Sequence, residues 1–274
     1  MDSKTQISQD IQAAMAASHL TPISSQTILA NLNATTIPAQ IGDQISKLES
    51  PMPVAVNLVI DSSGSLDGYE KIMVDAINDT ADDFVKMLNK TGQEIYLQVM
   101  EFSDRGGPNL RVIVPFVHVQ DYVPMTVQDY VAAGMTPLNE ATFDGVTATS
   151  IFGASLFAYG ATGVQEVTVI ISDGIDNPSS MSKRARQKDE VRRFLKELNS
   201  KPHFVCAFVG IGDELTFRTE ATELGILDGN ILTVDKTKGG ITKALKLVSS
   251  SVGSRSQSIH ANQPVNSNNF FVTN

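Results

Sequence analysis

The sequence predicts an α/β fold, a three-layer Rossmann-like sandwich whose central sheet is mainly parallel with one antiparallel edge strand and helices on both faces. Three observations predict it. The runs at 54–60, 166–172 and 204–209 are almost continuously apolar, the pattern of strands buried on both faces. Segments with helical apolar spacing alternate with those runs. The third is a pair of strand-like runs, 95–102 and 110–117, joined by the short loop 104–109. A parallel crossover needs a dozen residues or more, so this pair must be an antiparallel hairpin.

The elements follow in order. A strand over 54–60 ends in Asp61. Met73, Ile77, Ala81, Phe84 and Leu88 then recur at helical spacing, and Lys90 with Gly92 closes that helix. After the hairpin, a helix is predicted from Leu138 to about Tyr159, with a break near Gly145 and Gly153. The strand 166–172 ends in Asp173, and a charged helix over 182–198 turns Val191, Phe194, Leu195 and Leu198 inward. A strand over 204–209, a helix over 215–224, a short strand over 230–234 and a closing helix over 241–252 complete the alternation.

This core domain spans residues 51–252. Residues 1–50 form a different region, an N-terminal helical or extended arm rich in Ser, Thr, Gln and Asn and devoid of aromatics. Ile7, Ile11 and Met15, then Ile37, Ile41, Ile45 and Leu48, predict two short amphipathic helices, which need the main body or another chain to dock on. Residues 253–274 form a polar, flexible tail by composition, with Phe270, Phe271 and Val272 available to dock in a groove or extend a neighbour's sheet.

Composition excludes several classes. The chain has 274 residues, 42% apolar and 19% charged, enough for a large core without disulfides. It lacks an uninterrupted apolar stretch long enough to span a membrane. A net charge of −9 argues against nucleic acid and against anionic membrane surfaces as partners. Cys206 is the single cysteine and lies in an apolar run, so it reads as a small core hydrophobe. No basic stretch followed by an apolar one opens the chain, and a cytoplasmic location is expected.

Chemistry concentrates where strands hand over to loops. Asp61-Ser-Ser-Gly-Ser65 follows the first strand, Gly134-Met-Thr-Pro-Leu138 precedes a helix, and Ser172-Asp-Gly174 follows the fourth strand. In open α/β sheets, ligands bind at the carboxyl ends of strands where the strand order reverses. Asp61 and Asp173 offer carboxylates there, and Ser63, Ser65 and Thr136 offer hydroxyls. Oxygen donors without nearby His or Cys suit a small hard cation such as Mg²⁺ rather than zinc or copper.

Asp61-x-Ser63-x-Ser65, Thr136 and the Ser-Asp173-Gly strand end together resemble the metal-ion-dependent adhesion site (MIDAS) of von Willebrand factor type A (VWA) domains. The resemblance covers roughly residues 52–252. It implies a metal at the top of the sheet, Mg²⁺ with Mn²⁺ or Ca²⁺ as alternatives. Asp61, Ser63, Ser65 and Thr136 would contact it directly or through water, and Asp173 mostly through water. Asp176 is either a further support of the site or a turn-forming aspartate. The implied function is non-enzymatic: a protein–protein interaction module that binds an Asp or Glu carboxylate of a partner, such as a companion ATPase, kinase or phosphatase.

Two other classes compete. A structural subunit would use the terminal arms to join neighbouring chains into an oligomer. A metal-dependent phosphohydrolase of the haloacid-dehalogenase type would need a carboxylate at Ser63. Gly-x-Gly-x-x-Gly is missing after the first strand, which excludes that dinucleotide fingerprint. His19, His118, His203 and His260 lie outside the three motifs and read as packed or solvated side chains; Asp67 and Asp144 read as surface or helix-end residues.

Overall fold

The computed structural model describes residues 9, 12, 48, 50–106, 109–177, 188–261 and 267–271. Ile7, Ile11, Met15, Ile37, Ile41 and Ile45, expected on two short helices, lie outside the described residues, as does the start of the charged helix predicted from 182.

Six strands form one sheet. In chain order they are β1 (Val54–Asp61), β2 (Ile95–Phe102), β3 (Leu110–His118), β4 (Gln165–Ser172), β5 (Phe204–Ile211) and β6 (Ile231–Val234). Their spatial order is β3-β2-β1-β4-β5-β6. Every pairing is parallel except the β2–β3 hairpin, which makes the antiparallel edge. The predicted fold class is the observed one.

The helices are α1 (Glu70–Thr91), α2 (Leu138–Ala158), α3 (Lys188–Leu198), α4 (Glu214–Leu224) and α5 (Lys238–His260). Alternation along β1 divides its side chains between the layers. Val54, Val56, Leu58 and Ile60 join Met73, Ile77 and Phe84 of α1 and Leu245 and Val248 of α5 on one face. Val59 faces the other way, with Leu138, Phe143 and Val146 of α2 and Phe194 of α3. Helices on both faces explain why the strands read as solid apolar runs. Cys206 is buried on β5, and burial pushes its thiol up to about 12, as befits a packing residue.

The glycines of α2 do not break it. A Cβ on Gly145 would lie 2.6 Å from Val59 Cγ2, so glycine lets the helix backbone settle onto β1. Asn57 of β1 uses that proximity by donating a hydrogen bond to Gly145 O at 3.0 Å. Asp144, expected at a surface or a helix end, is buried within α2, which is enclosed along almost its whole length.

At the other end of the chain, α5 continues through Gly253 to His260, past the predicted stop at 252. Gly253 faces the flexible end of the Met87 side chain, and the helix runs through it without a break. Beyond it, Phe270 is buried against the α1–α5 face of the sheet instead of trailing in solvent. Asn230 Oδ1 accepts from Phe270 N at 3.0 Å, and Gly229 O accepts from Phe271 N at 3.1 Å. No described helix is long and apolar enough to cross a membrane.

Candidate metal centre

β1 runs between β2 and β4, and the chain leaves β1 towards β2 but β4 towards β5, so the carboxyl ends of β1 and β4 form the switch point at which α/β sheets place a ligand crevice. The register pairs Ile60 with Ile171, which sets Asp61 beside Ser172. Ser172 Oγ donates to Asp61 Oδ2 at 2.6 Å, and the Ser63 N–H donates to Asp61 Oδ1 at 2.7 Å. A short 3-10 turn at Gly64–Leu66, anchored by buried Leu66, then brings Ser65 back over the strand end. Ser65 Oγ lies 3.0 Å from Ser63 Oγ and donates to Asp173 Oδ1 at 2.7 Å.

The loop before α2 is stitched to this turn. Ala133 N donates to Ser62 O and Gly64 N to Gly134 O. Gly134 has φ +84°, and a Cβ there would fall 2.4 Å from Asp104 O, so both conformation and space demand glycine. Thr136 is buried next to Gly174, where its Oγ1 would lie 2.9 Å from an added Cβ. Its carbonyl accepts from Asn177 N at 2.7 Å, which ties the loop before α2 to the one after β4. Among the described residues the Thr136 hydroxyl has no hydrogen-bond partner.

Asp176 bridges from the loop after β4 to the start of α2. Its carboxylate accepts from Asn139 N at 2.9 Å and Asn139 Nδ2 at 2.8 Å, capping the N-terminus of α2 from another loop. Asp176→Ala is expected to cost about 1 kcal/mol of stability, measured by urea unfolding, with little effect at Asp61.

Several supporting residues carry no sequence signal. Buried Tyr130 donates its hydroxyl to Asp61 O at 2.5 Å. Arg105 donates to Ser62 Oγ at 2.8 Å and Ala133 O at 3.2 Å, and also to Val131 O, fastening both loops to the hairpin. Lys236, after β6, donates to Asp173 Oδ2 at 2.6 Å. Ser172 lay within a recognised motif, but its contact with Asp61 depends on strand pairing.

The electrostatics favour a cation. Asp61 is fully buried and has no basic partner among the described residues; burial, with a smaller contribution from Asp173, pushes its carboxyl up to about 6. Such a shift corresponds to roughly 3 kcal/mol against the charged form. No group of three or more His, Cys, Asp or Glu side chains suited to a metal occurs among the described residues. The cluster here has two carboxylates, with serine hydroxyls between them, a hard all-oxygen set that fits Mg²⁺ better than softer ions. Neighbouring ligands of an octahedral Mg²⁺ are about 3 Å apart. The Ser63–Ser65 and Ser65–Asp173 separations, 3.0 and 2.7 Å, are of that size.

No family model matches the chain. No curated protein matches it either. Solved structures do. The open conformation of SpaC, a pilus adhesin from Lactobacillus rhamnosus GG, is similar with TM-score 0.55 at 12% identity over 76% of this chain and 30% of that one. That likeness shows a shared fold. Proximal thread matrix protein 1 from the mussel byssus, with a zinc-occupied MIDAS motif, has TM-score 0.48 at 18% identity, covering 72% of this chain and 47% of that one. The SpRpn10 VWA domain has TM-score 0.48 at 12% identity, covering 71% of this chain and 94% of that one. The chain thus spans less than half the length of SpaC or the byssus protein.

Proposed function

We propose that this chain is a VWA-type, non-enzymatic interaction module. It holds Mg²⁺, with Mn²⁺ or Ca²⁺ as alternatives, through Asp61, Ser63, Ser65, Thr136 and Asp173, and captures an Asp or Glu carboxylate of a protein partner. The observation that carries the reading is the convergence of Ser63, Ser65 and Asp173 oxygens at hydrogen-bond spacing beside buried Asp61.

The bound ion supplies a hard position at which an anionic oxygen can replace water. The protein's part is placement. Ser172 and the Ser63 N–H hold Asp61 in one orientation, and Tyr130 fixes its backbone. Ser65 is oriented between Ser63 and Asp173. Loops fastened by Arg105 and the Thr136–Asn177 bridge keep the donors from dispersing. A partner carboxylate then meets a prearranged site and pays little ordering entropy.

The test is capture from native-host extract by immobilised full-length chain in Mg²⁺ or in EDTA. Expected is retention of a specific partner in Mg²⁺, its release by EDTA, and its elution by excess glutarate. Equal capture under both conditions overturns the reading.

A further inference from the structure

We propose that Lys236 is a built-in counter-ion of this site, which a divalent cation must compete with for Asp173. The inference rests on the metal-site reading above and concerns its regulation.

Lys236 follows β6, which is separated from β4 by β5. The backbone bond from Gly212 N to Val234 O, 2.8 Å, ties the ends of β5 and β6 together and brings the following loop near the crevice. From there the ammonium donates to Asp173 Oδ2 and to Ser65 O, each at 2.6 Å. It also lies 5.3 Å from the centre of the Tyr69 ring, whose hydroxyl donates to Lys236 O at 3.1 Å. The ammonium therefore has a constructed seat, formed by the turn after β1, the strand end of β4 and the start of α1. Asp173 is shared: one oxygen receives Ser65 Oγ from within the cluster, and the other receives the lysine.

The charge balance gives this contact a consequence. Asp61 and Asp173 together offset one dication. With the ammonium also present, the loaded site carries excess positive charge. Lys236 thus weakens ion binding when no partner is present, and the excess charge favours an incoming carboxylate. By linkage, an acidic partner strengthens ion binding by the factor with which the ion strengthens partner binding. The lysine side chain is about one-third exposed while the Asp173 side chain is 1% exposed, so Lys236 can move aside more easily than the carboxylate it holds.

The test is calorimetric titration of MgCl₂ into EDTA-stripped, dialysed full-length protein. Lys236→Met is expected to bind Mg²⁺ roughly tenfold more tightly than the natural chain, the scale of one unit charge a few ångströms from a dication in a wet crevice. Lys236→Arg, which keeps the charge, should stay near the natural value. Equal or weaker binding by folded Lys236→Met overturns the proposal while leaving the metal site standing. No Asp61-dependent binding in any variant overturns both. A measurement on the natural chain keeps the question open to disproof should the methionine variant misfold: acetylation of Lys236 by an N-hydroxysuccinimide ester, read by peptide mass spectrometry. Labelling should rise several-fold at saturating Mg²⁺; labelling unchanged in a chain that binds the ion overturns the proposal.

Discussion

Asp61→Asn is expected to abolish both Mg²⁺ binding and Mg²⁺-dependent partner capture while leaving the fold intact. The substitution is nearly isosteric and removes one full charge from the most buried carboxylate of the cluster. Its amide oxygen can still accept from Ser63 N–H, and its amide nitrogen can donate to Ser172 Oγ, which already has Gly174 O as a second acceptor. The metal-free variant should therefore be at least as stable as the natural chain, because the natural carboxyl is pushed up to about 6 by its burial. The difference emerges on adding metal. An ion at a hundred times its Kd stabilises the natural protein by about 2.7 kcal/mol, which raises the melting midpoint by roughly 5–10 °C for a domain of this size. Asp61→Asn should show no such rise. Thermal unfolding in Mg²⁺ and in EDTA reads this directly, and a full metal-induced rise in the variant would remove Asp61 from the site.

The second large effect concerns the chain's far end. Phe270→Ala is expected to destabilise the metal-free protein by about 3–5 kcal/mol. Phe270 is 4% exposed, packs with the α1–α5 core and contacts Phe271 edge-on, with ring centres 4.9 Å apart. Its backbone is also tied down through Asn230, whose own amide donates to Ser267 O at 2.7 Å. Urea unfolding of the full chain measures the loss. A change below about 0.5 kcal/mol, the level of a surface substitution, would mean that the tail does not dock in solution. Phe270 inside its own domain also leaves less of the tail free to lace neighbouring chains, the role assigned to it by the structural-subunit alternative.

Much of the fold was legible because its signals are local. Val54 to Ile60 reads as a central strand because both of its faces are covered, and the hairpin follows from one short loop. Five candidate site residues were legible for the same reason: each stands next to a strand or helix end. What sequence could not convey is contact between distant segments. Tyr130, Arg105 and Lys236 sit in loops without periodicity, and their roles appear only when β1, β4 and β6 are placed in one sheet. Whether Phe270 docks or trails stayed open in the sequence because its neighbourhood is polar, and only the fold shows it buried. Gly145 and Gly153 were misread as a break because a glycine that breaks a helix and one that admits a close neighbour look alike in one dimension.

The order of the strands has a consequence for biosynthesis. The central strand is made first, its neighbour bearing the second aspartate only after the hairpin and a long helix, and the lysine later still. A ribosome-bound or prematurely terminated product that stops before β4 carries the serines and one acid but no second acid to close the cradle. On the proposed reading, recognition is then acquired in a single late step, and unfinished copies cannot titrate the partner away from mature ones.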